Sequence, residues 1–226
     1  MIGIESREPI INANTLKYNF TNEGGVFDTI RFLKNIMGMW PLQESRRQWA
    51  KIGKNYSYDE LTNLAAQAPG LKSFIFVGDN RFLPPGDMVE RIQGFCRETN
   101  QPVPETPAEV VRCILESLAL EYRWCSEKLR ELSGKALPVI HIIGGGSRNR
   151  LLNQFAADAT GCQVVAGPVE ATAIGNILMQ AIGLGHLSSL DEGRALVRRS
   201  FDVASFEPQT SPAWDEAYNR YLTLRK

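Results

Sequence analysis

Residues 138–177 read PVIHIIGGGSRNRLLNQFAADATGCQVVAGPVEATAIGNI, and the order of apolar runs and glycines in this stretch decides the fold. Pro138 to Ile143 is an apolar run of strand length, interrupted only by His141. Leu151, Leu152, Phe155 and Ala156 then recur at helical spacing as far as Gly161, Cys162 to Ala166 forms a second strand, and a helix follows from about Glu170 to Ile182. Strand, helix, strand, helix in this order implies a parallel sheet with right-handed crossovers, covered by helices.

Upstream lies the best-marked helix of the chain. Thr106, Pro107 and Glu109 supply an N-cap, a first-turn proline and a capping-box glutamate. Val110, Val111, Ile114, Leu115, Leu118, Tyr122, Cys125, Leu129 and Leu132 make a buried stripe, and Gly134 is a favoured left-handed terminator. Shorter helices are predicted over Tyr58–Gln67, Met88–Glu98, Asp191–Arg199 and, after a Ser211-Pro212 cap, Ala213–Leu224. Ser73–Gly78 (SFIFVG) has the composition of a strand. Val26, Ile30, Leu33, Ile36, Met37 and Trp40 recur at helical spacing, which predicts a helix that Pro41 interrupts or kinks. Residues 1–25 look irregular, although Ile2 and Ile4 alternate with Gly3 and Glu5 as if a strand were under way at Met1. No repeat, low-complexity tract or long linker divides the chain, so residues 1–226 are expected to form one α/β domain.

Composition narrows the function classes. A chain of 226 residues buries roughly 70% of its unfolded surface, enough for a core without a disulfide or metal staple. Its 25 Lys+Arg balance 25 Asp+Glu, which argues against nucleic acid or an anionic membrane surface as partner. Cys96, Cys113, Cys125 and Cys162 form no CxxC, and His141 and His186 are the sole histidines, so no zinc site is expected. Cys96 and Cys113 bracket adjacent helices and could meet, with free thiols the expected state. No apolar run spans a bilayer and the N-terminus carries no signal-peptide pattern, so a soluble, cytoplasmic chain is expected.

Gly144, Gly145 and Gly146 sit where the first strand of the quoted stretch turns into a helix, with Ser147, Arg148 and Asn149 following. Glycines there let a ligand lie against backbone, and the helix start offers N–H groups to an anion or a nucleobase edge. The spacing is neither GxGxxG nor GxxxxGK[ST], so a tight crossover turn with no ligand explains it equally well. Ala171 and Gly175 would let the next helix approach this turn, a device used more often for packing than for ligand contact. Asn35 and Gln43, eight residues apart on the expected first helix, would lie roughly 80° apart around it. They could face one cleft or be part of a solvated face, and spacing favours the second. No catalytic constellation is visible: His141 reads as a core or strand-end histidine, His186 has no evident partner, and the run Arg194–Arg199 reads as the exposed side of an amphipathic helix.

Three collinear blocks carry a resemblance. Residues 22–44 (NEGGVFDTIRFLKNIMGMWPLQE), 96–122 (CRETNQPVPETPAEVVRCILESLALEY) and 141–177 closely resemble the C-terminal domain of the FGGY carbohydrate kinases, in the branch that acts on L-rhamnulose. The resemblance implies the actin-like ATPase (ribonuclease H-like) fold, a mixed sheet flanked by helices. It further implies transfer of the γ-phosphoryl group of ATP, with Mg2+, to the 1-hydroxyl of L-rhamnulose in a cleft between two domains. Carried onto this chain, it assigns the nucleotide to Gly144, Gly145, Gly146, Asn149 and Gln43, and the sugar side to Asn35. The family has an apolar, helix-compatible residue where this chain has Pro41. By the same resemblance the sugar-binding half, the general-base aspartate and both phosphate loops precede Met1, so the chain alone is expected to be inactive and to carry no catalytic residue. Exposed apolar surface near Ile2, Ile4 and the first helix is then expected to drive self-association. The competing readings are a non-catalytic actin-like interaction module and a sibling kinase for another ketose such as fuculose or xylulose.

Overall fold

The computed structural model describes residues 1–209 and 211–225. At its centre is helix α5 (Pro107–Ser133), started by the reciprocal Thr106–Glu109 capping box and ended by Gly134 at φ +66°, a backbone conformation that costs a Cβ-bearing residue strain. The elements before it are β1 (Ile2–Ser6), α1 (Ala13–Lys17), β2 (Thr21–Gly24), β3 (Ile30–Lys34), α2 (Trp40–Lys51), α3 (Tyr58–Gln67) and α4 (Met88–Glu98). After it come β4 (Val139–Ile142), α6 (Arg150–Thr160), β5 (Gln163–Ala166), α7 (Ala171–Gly183), α8 (Leu190–Ser200), β6 (Ala204–Phe206) and α9 (Pro212–Thr223). One face of α5 packs on α3 and the other on α6. Leu61, Phe74, Ile92, Ile114, Leu115, Leu118 and Tyr221 are fully buried there, in the main apolar core.

Two three-stranded sheets flank this core, β1-β3-β2 and β4-β5-β6. The first is antiparallel throughout. The second is mixed: β4 and β5 run parallel with Ile140 opposite Val164, joined through α6, and β6 returns antiparallel to β5. The expected parallel crossover is therefore present as a single pair. β4 is paired along one side only, and His141, read from sequence as a core or strand-end histidine, is exposed on the face opposite Ile140 and Ile142.

The helix expected from Val26 to Trp40 does not form. Phe27 and Asp28 adopt left-handed backbone conformations that turn the chain, and Ile30–Lys34 then becomes the central strand of its sheet. Phe32, 0% exposed, stacks on Phe20 with ring centroids 5.1 Å apart. Cross-strand burial on both faces overrode a spacing that also fits a helix. Pro41, expected to break that helix, instead begins α2, where its missing N–H costs nothing. Asn35 thus lies in the segment joining β3 to α2 and Gln43 in α2, so the two amides do not share a helix.

Ser73–Gly78 forms no strand, although Ser73, Phe74, Ile75 and Val77 in it are buried. Side chains replace the ladder: Phe74 N–H donates to Gln101 Oε1 at 2.8 Å and Ile75 N–H to Ser117 Oγ at 2.9 Å. Ile2 and Ile4, expected to be exposed, pack against the small cluster of Phe20, Phe32 and Leu129. The unpartnered apolar surface lies instead on α7, which has no buried residue and leaves Ile177 65% exposed. Its small face does not approach the glycine turn, because a Cβ at Gly175 would meet nothing within 4 Å. Cys96 and Cys113 form no disulfide, and all four cysteines are free and buried. Among the described residues no helix is long and apolar enough to cross a membrane.

Candidate functional site

The turn between β4 and α6 is held from three sides. Gly144 (φ +76°, ψ −165°) occupies a conformation that is essentially closed to other residues. Its carbonyl accepts from Ser147 N–H at 3.0 Å and Ser147 Oγ–H at 2.7 Å. Below it, the buried Asn153 amide of α6 donates to the Ser147 carbonyl at 2.8 Å. Beside it, Gly167 N–H donates to the Ile142 carbonyl at 2.8 Å.

Gly145 and Gly146 differ from Gly144 in a way that bears on ligand binding. Neither has a positive φ, and a Cβ at either would meet no atom within 4 Å. Neither backbone conformation nor packing inside the chain therefore requires glycine at these two positions. Both line an open cleft of about 660 Å³, within the size range of small-molecule and nucleotide sites.

Four helix starts converge on that cleft. Gln43 comes from α2, Tyr58 and Thr62 from α3, Asn149 from the start of α6, and Glu170 from the residue preceding α7. Two of these starts are capped by side chains: Ser57 Oγ accepts from Glu60 N–H in α3, and Asn149 Oδ1 accepts from Leu152 N–H in α6. The starts of α2 and α7 have no side-chain cap; Pro41 removes one N–H from the first turn of α2, so α7 offers the fuller set of free N–H groups to an anion. Arg46 braces the α3 side, its guanidinium 4.7 Å from the Tyr58 ring centroid.

Gln43, Gly145, Gly146 and Asn149 are thus brought together, although Gln43 and Asn149 are remote in sequence. Gly144 shapes the turn without lining the cleft, and Asn35 is exposed and outside the lining. Pro41 leaves Gln43 facing the cleft, since it begins α2 and does not kink it. Sequence reasoning missed Tyr58 and Thr62. The Ser57–Glu60 capping box marked where α3 begins, but nothing local signalled that this end packs beside Asn149. His141 and His186 lie outside the cleft.

The chain was compared with known proteins. The family model for the FGGY family of carbohydrate kinases, C-terminal domain, matches residues 1–184. A Rhamnulokinase of Bacteroides thetaiotaomicron is 49% identical over 218 residues, covering 96% of this chain and 44% of that protein. A Rhamnulokinase of Enterococcus faecalis is 45% identical, covering 100% of this chain and 45% of that one. The chain spans about half the length of the curated relatives it matches. Among solved structures, a ligand-bound xylulose kinase from Lactobacillus acidophilus superposes with a TM-score of 0.67 at 13% identity, over 99% of this chain and 44% of that one. The glycerol kinase of Plasmodium falciparum with ADP gives 0.58 at 18%, over 86% and 39%. These neighbours carry the actin-like ATPase fold, and its mixed sheet and flanking helices are those described above. With the family match covering most of its length and whole-chain identities this high, the chain belongs to the FGGY carbohydrate kinases, as their C-terminal domain.

Proposed function

We propose that this chain is the nucleotide-side domain of a kinase that transfers the γ-phosphoryl group of ATP to the 1-hydroxyl of L-rhamnulose. Together with an N-terminal half it would form the working cleft, and by itself it is inactive. The observation that carries the reading is the pair Gly145 and Gly146, whose missing side chains open a backbone wall onto a cleft shared with Gln43 and Asn149. A phosphate fits the uncapped start of α7, and a nucleobase fits the capped side formed by Thr62 and Asn149. The sugar preference rests on relatives named Rhamnulokinase at 42–49% identity, well above the 13–21% of the xylulose kinase structures. Asn35 is the residue this reading gives to the sugar side.

In this transfer a sugar hydroxyl oxygen bonds to the γ-phosphorus, the bond to the β-phosphate oxygen breaks, and the hydroxyl proton passes to a base. This chain's part is to bind and orient the nucleotide; the base belongs to the other half. Sugar kinases of the family normally use ATP with Mg2+, but among the described residues no group of three or more His, Cys, Asp or Glu could hold a metal ion. Mg2+ at kinase sites takes one or two carboxylates from the protein and the rest of its ligands from substrate phosphates and water, and Asp59 and Glu170, the two carboxylates on the cleft wall, would be the residues here to hold an ion bound with ATP. The exposed apolar face of α7 and the unpaired side of β4 support an additional protein half covering this region.

The test is complementation. ADP release that depends on L-rhamnulose is expected when the chain is co-expressed with the N-terminal half of a related rhamnulokinase, and from neither part alone. Turnover by the isolated chain would overturn the division of labour. A stable complex that binds ATP and phosphorylates no ketose would replace the kinase reading with that of a regulatory module.

A further inference from the structure

Asn149 is held at both ends of its carboxamide. Its Oδ1 accepts the Leu152 N–H at 2.9 Å, and its Nδ2 donates to Thr62 Oγ1 at 3.2 Å. Thr62 gives its own hydroxyl proton to the Tyr58 carbonyl at 2.8 Å, one turn back along α3. That proton is therefore spoken for, and Thr62 meets Asn149 as an acceptor. The direction of the whole chain follows: Asn149 N–H to Thr62 O–H to Tyr58 carbonyl. A carboxamide nitrogen carries two hydrogens, so one N–H of Asn149 remains for the cleft that both residues line.

We propose that Thr62 is a positioning residue for nucleobase recognition, locking the Asn149 amide so that it presents an N–H donor to the base. The base selected is one whose edge offers a ring-nitrogen acceptor at that point, as adenine does at N1, N3 and N7. The Asn149 carbonyl accepts the Leu152 N–H at the start of α6, and this bond together with the one to Thr62 fixes the plane of the carboxamide. The inference rests on the nucleotide reading of the cleft and adds to it the group that sets base selectivity. Thr62 touches no reacting atom and acts through Asn149.

The experiment measures Kd at this chain for ATP and for 1-deaza-, 3-deaza- and 7-deaza-ATP by nuclear magnetic resonance, which also follows the Asn149 side-chain amide. In the wild type, ATP is expected to shift one of the two Asn149 amide protons, and one deaza analogue to bind roughly five- to tenfold more weakly, the loss of a single hydrogen bond. Thr62→Val keeps the β-branched shape and removes the hydroxyl; it is expected to lose at least half of that discrimination. Thr62→Ser is expected to retain it. A purely structural role for Thr62 would weaken ATP and its analogues alike and leave their ratios in place. Unchanged ratios in Thr62→Val, or no discrimination among the analogues in the wild type, would overturn the proposal while leaving the nucleotide site standing. Absence of any nucleotide-induced shift at millimolar ATP would instead remove the nucleotide reading, and the proposal with it.

Discussion

Asn153 Nδ2 donates to the Ser147 carbonyl at 2.8 Å beneath the glycine turn, while Asn153 Oδ1 is buried with no partner among the described residues. The turn is therefore pinned by one side of a carboxamide whose other side is unsatisfied. Removing the donor leaves the Ser147 carbonyl without it in a buried setting, a penalty of about 1–3 kcal/mol. Asn153→Leu also removes the unsatisfied Oδ1, so its net stability change in urea titration is expected to stay within about 1 kcal/mol, while amide hydrogen exchange at Ser147 and Asn149 speeds up. Exchange rates unchanged there would show that the turn holds itself.

The three glycines should respond differently to alanine. At Gly144 the positive φ makes any side chain strained, so Gly144→Ala is expected to cost roughly 1–2 kcal/mol of stability. Gly145→Ala and Gly146→Ala meet open space, and their stability should stay within about 0.5 kcal/mol of the wild type. Their methyl groups enter the cleft, so ATP binding is expected to weaken roughly tenfold, about 1.4 kcal/mol. Alanine at either position with full stability and unchanged ATP affinity would move the nucleotide away from this wall.

Glu116 supplies a pH signature. Burial holds its carboxyl above the ordinary glutamate range, against the pull of the Arg112 guanidinium at 2.5 Å and the Leu71 N–H at 2.8 Å. Between the unfolded and folded values the folded chain binds more protons. This group's contribution to stability is thus complete below the unfolded value and is lost as pH rises through the folded one. Glu116→Gln keeps one of the two acceptor oxygens that Arg112 and Leu71 use and does not titrate, so its loss of a hydrogen bond is independent of pH and only the pH-dependent part of the difference reports the carboxyl. The wild type should gain on the variant as pH falls from neutrality toward 4, as read from urea midpoints. A stability difference independent of pH would count against this sign.

Thiol chemistry offers a check on packing. All four cysteines are buried. The hydrogen bond with Cys96, and then burial, hold the Cys113 thiol well above its ordinary range, and burial does the same for Cys125. The folded chain is expected to react with a disulfide reagent at no cysteine within minutes, and at all four in urea. Rapid labelling of one thiol in the folded state would mean that the core around it opens.

The parts of the fold legible in sequence are those whose cause is local. Thr106, Pro107, Glu109 and Gly134 mark both ends of α5, and Tyr58–Gln67 and Met88–Glu98 coincide with α3 and α4. Where burial on both faces competes with periodicity, local reading fails. Ile30 and Leu33 satisfy helical spacing yet lie in the middle strand of a sheet, and Phe74 and Ile75 have strand composition yet bond to side chains of Gln101 and Ser117.

The site divides along the same line. Gly145, Gly146 and Asn149 could be picked out because a strand-to-helix turn rich in glycine is written in consecutive residues. That Gln43 faces them, and that Thr62 reaches Asn149 across 87 positions of sequence, depends on the packing of α3 and α6 against α5. By itself the sequence determined the helix caps, the turn and the family, because these reside in local chemistry and in linear order. Only the tertiary structure decided which helix starts share a cleft and which hydrogen of Asn149 is left to face it, because burial and hydrogen-bond direction are set by groups far apart in the chain.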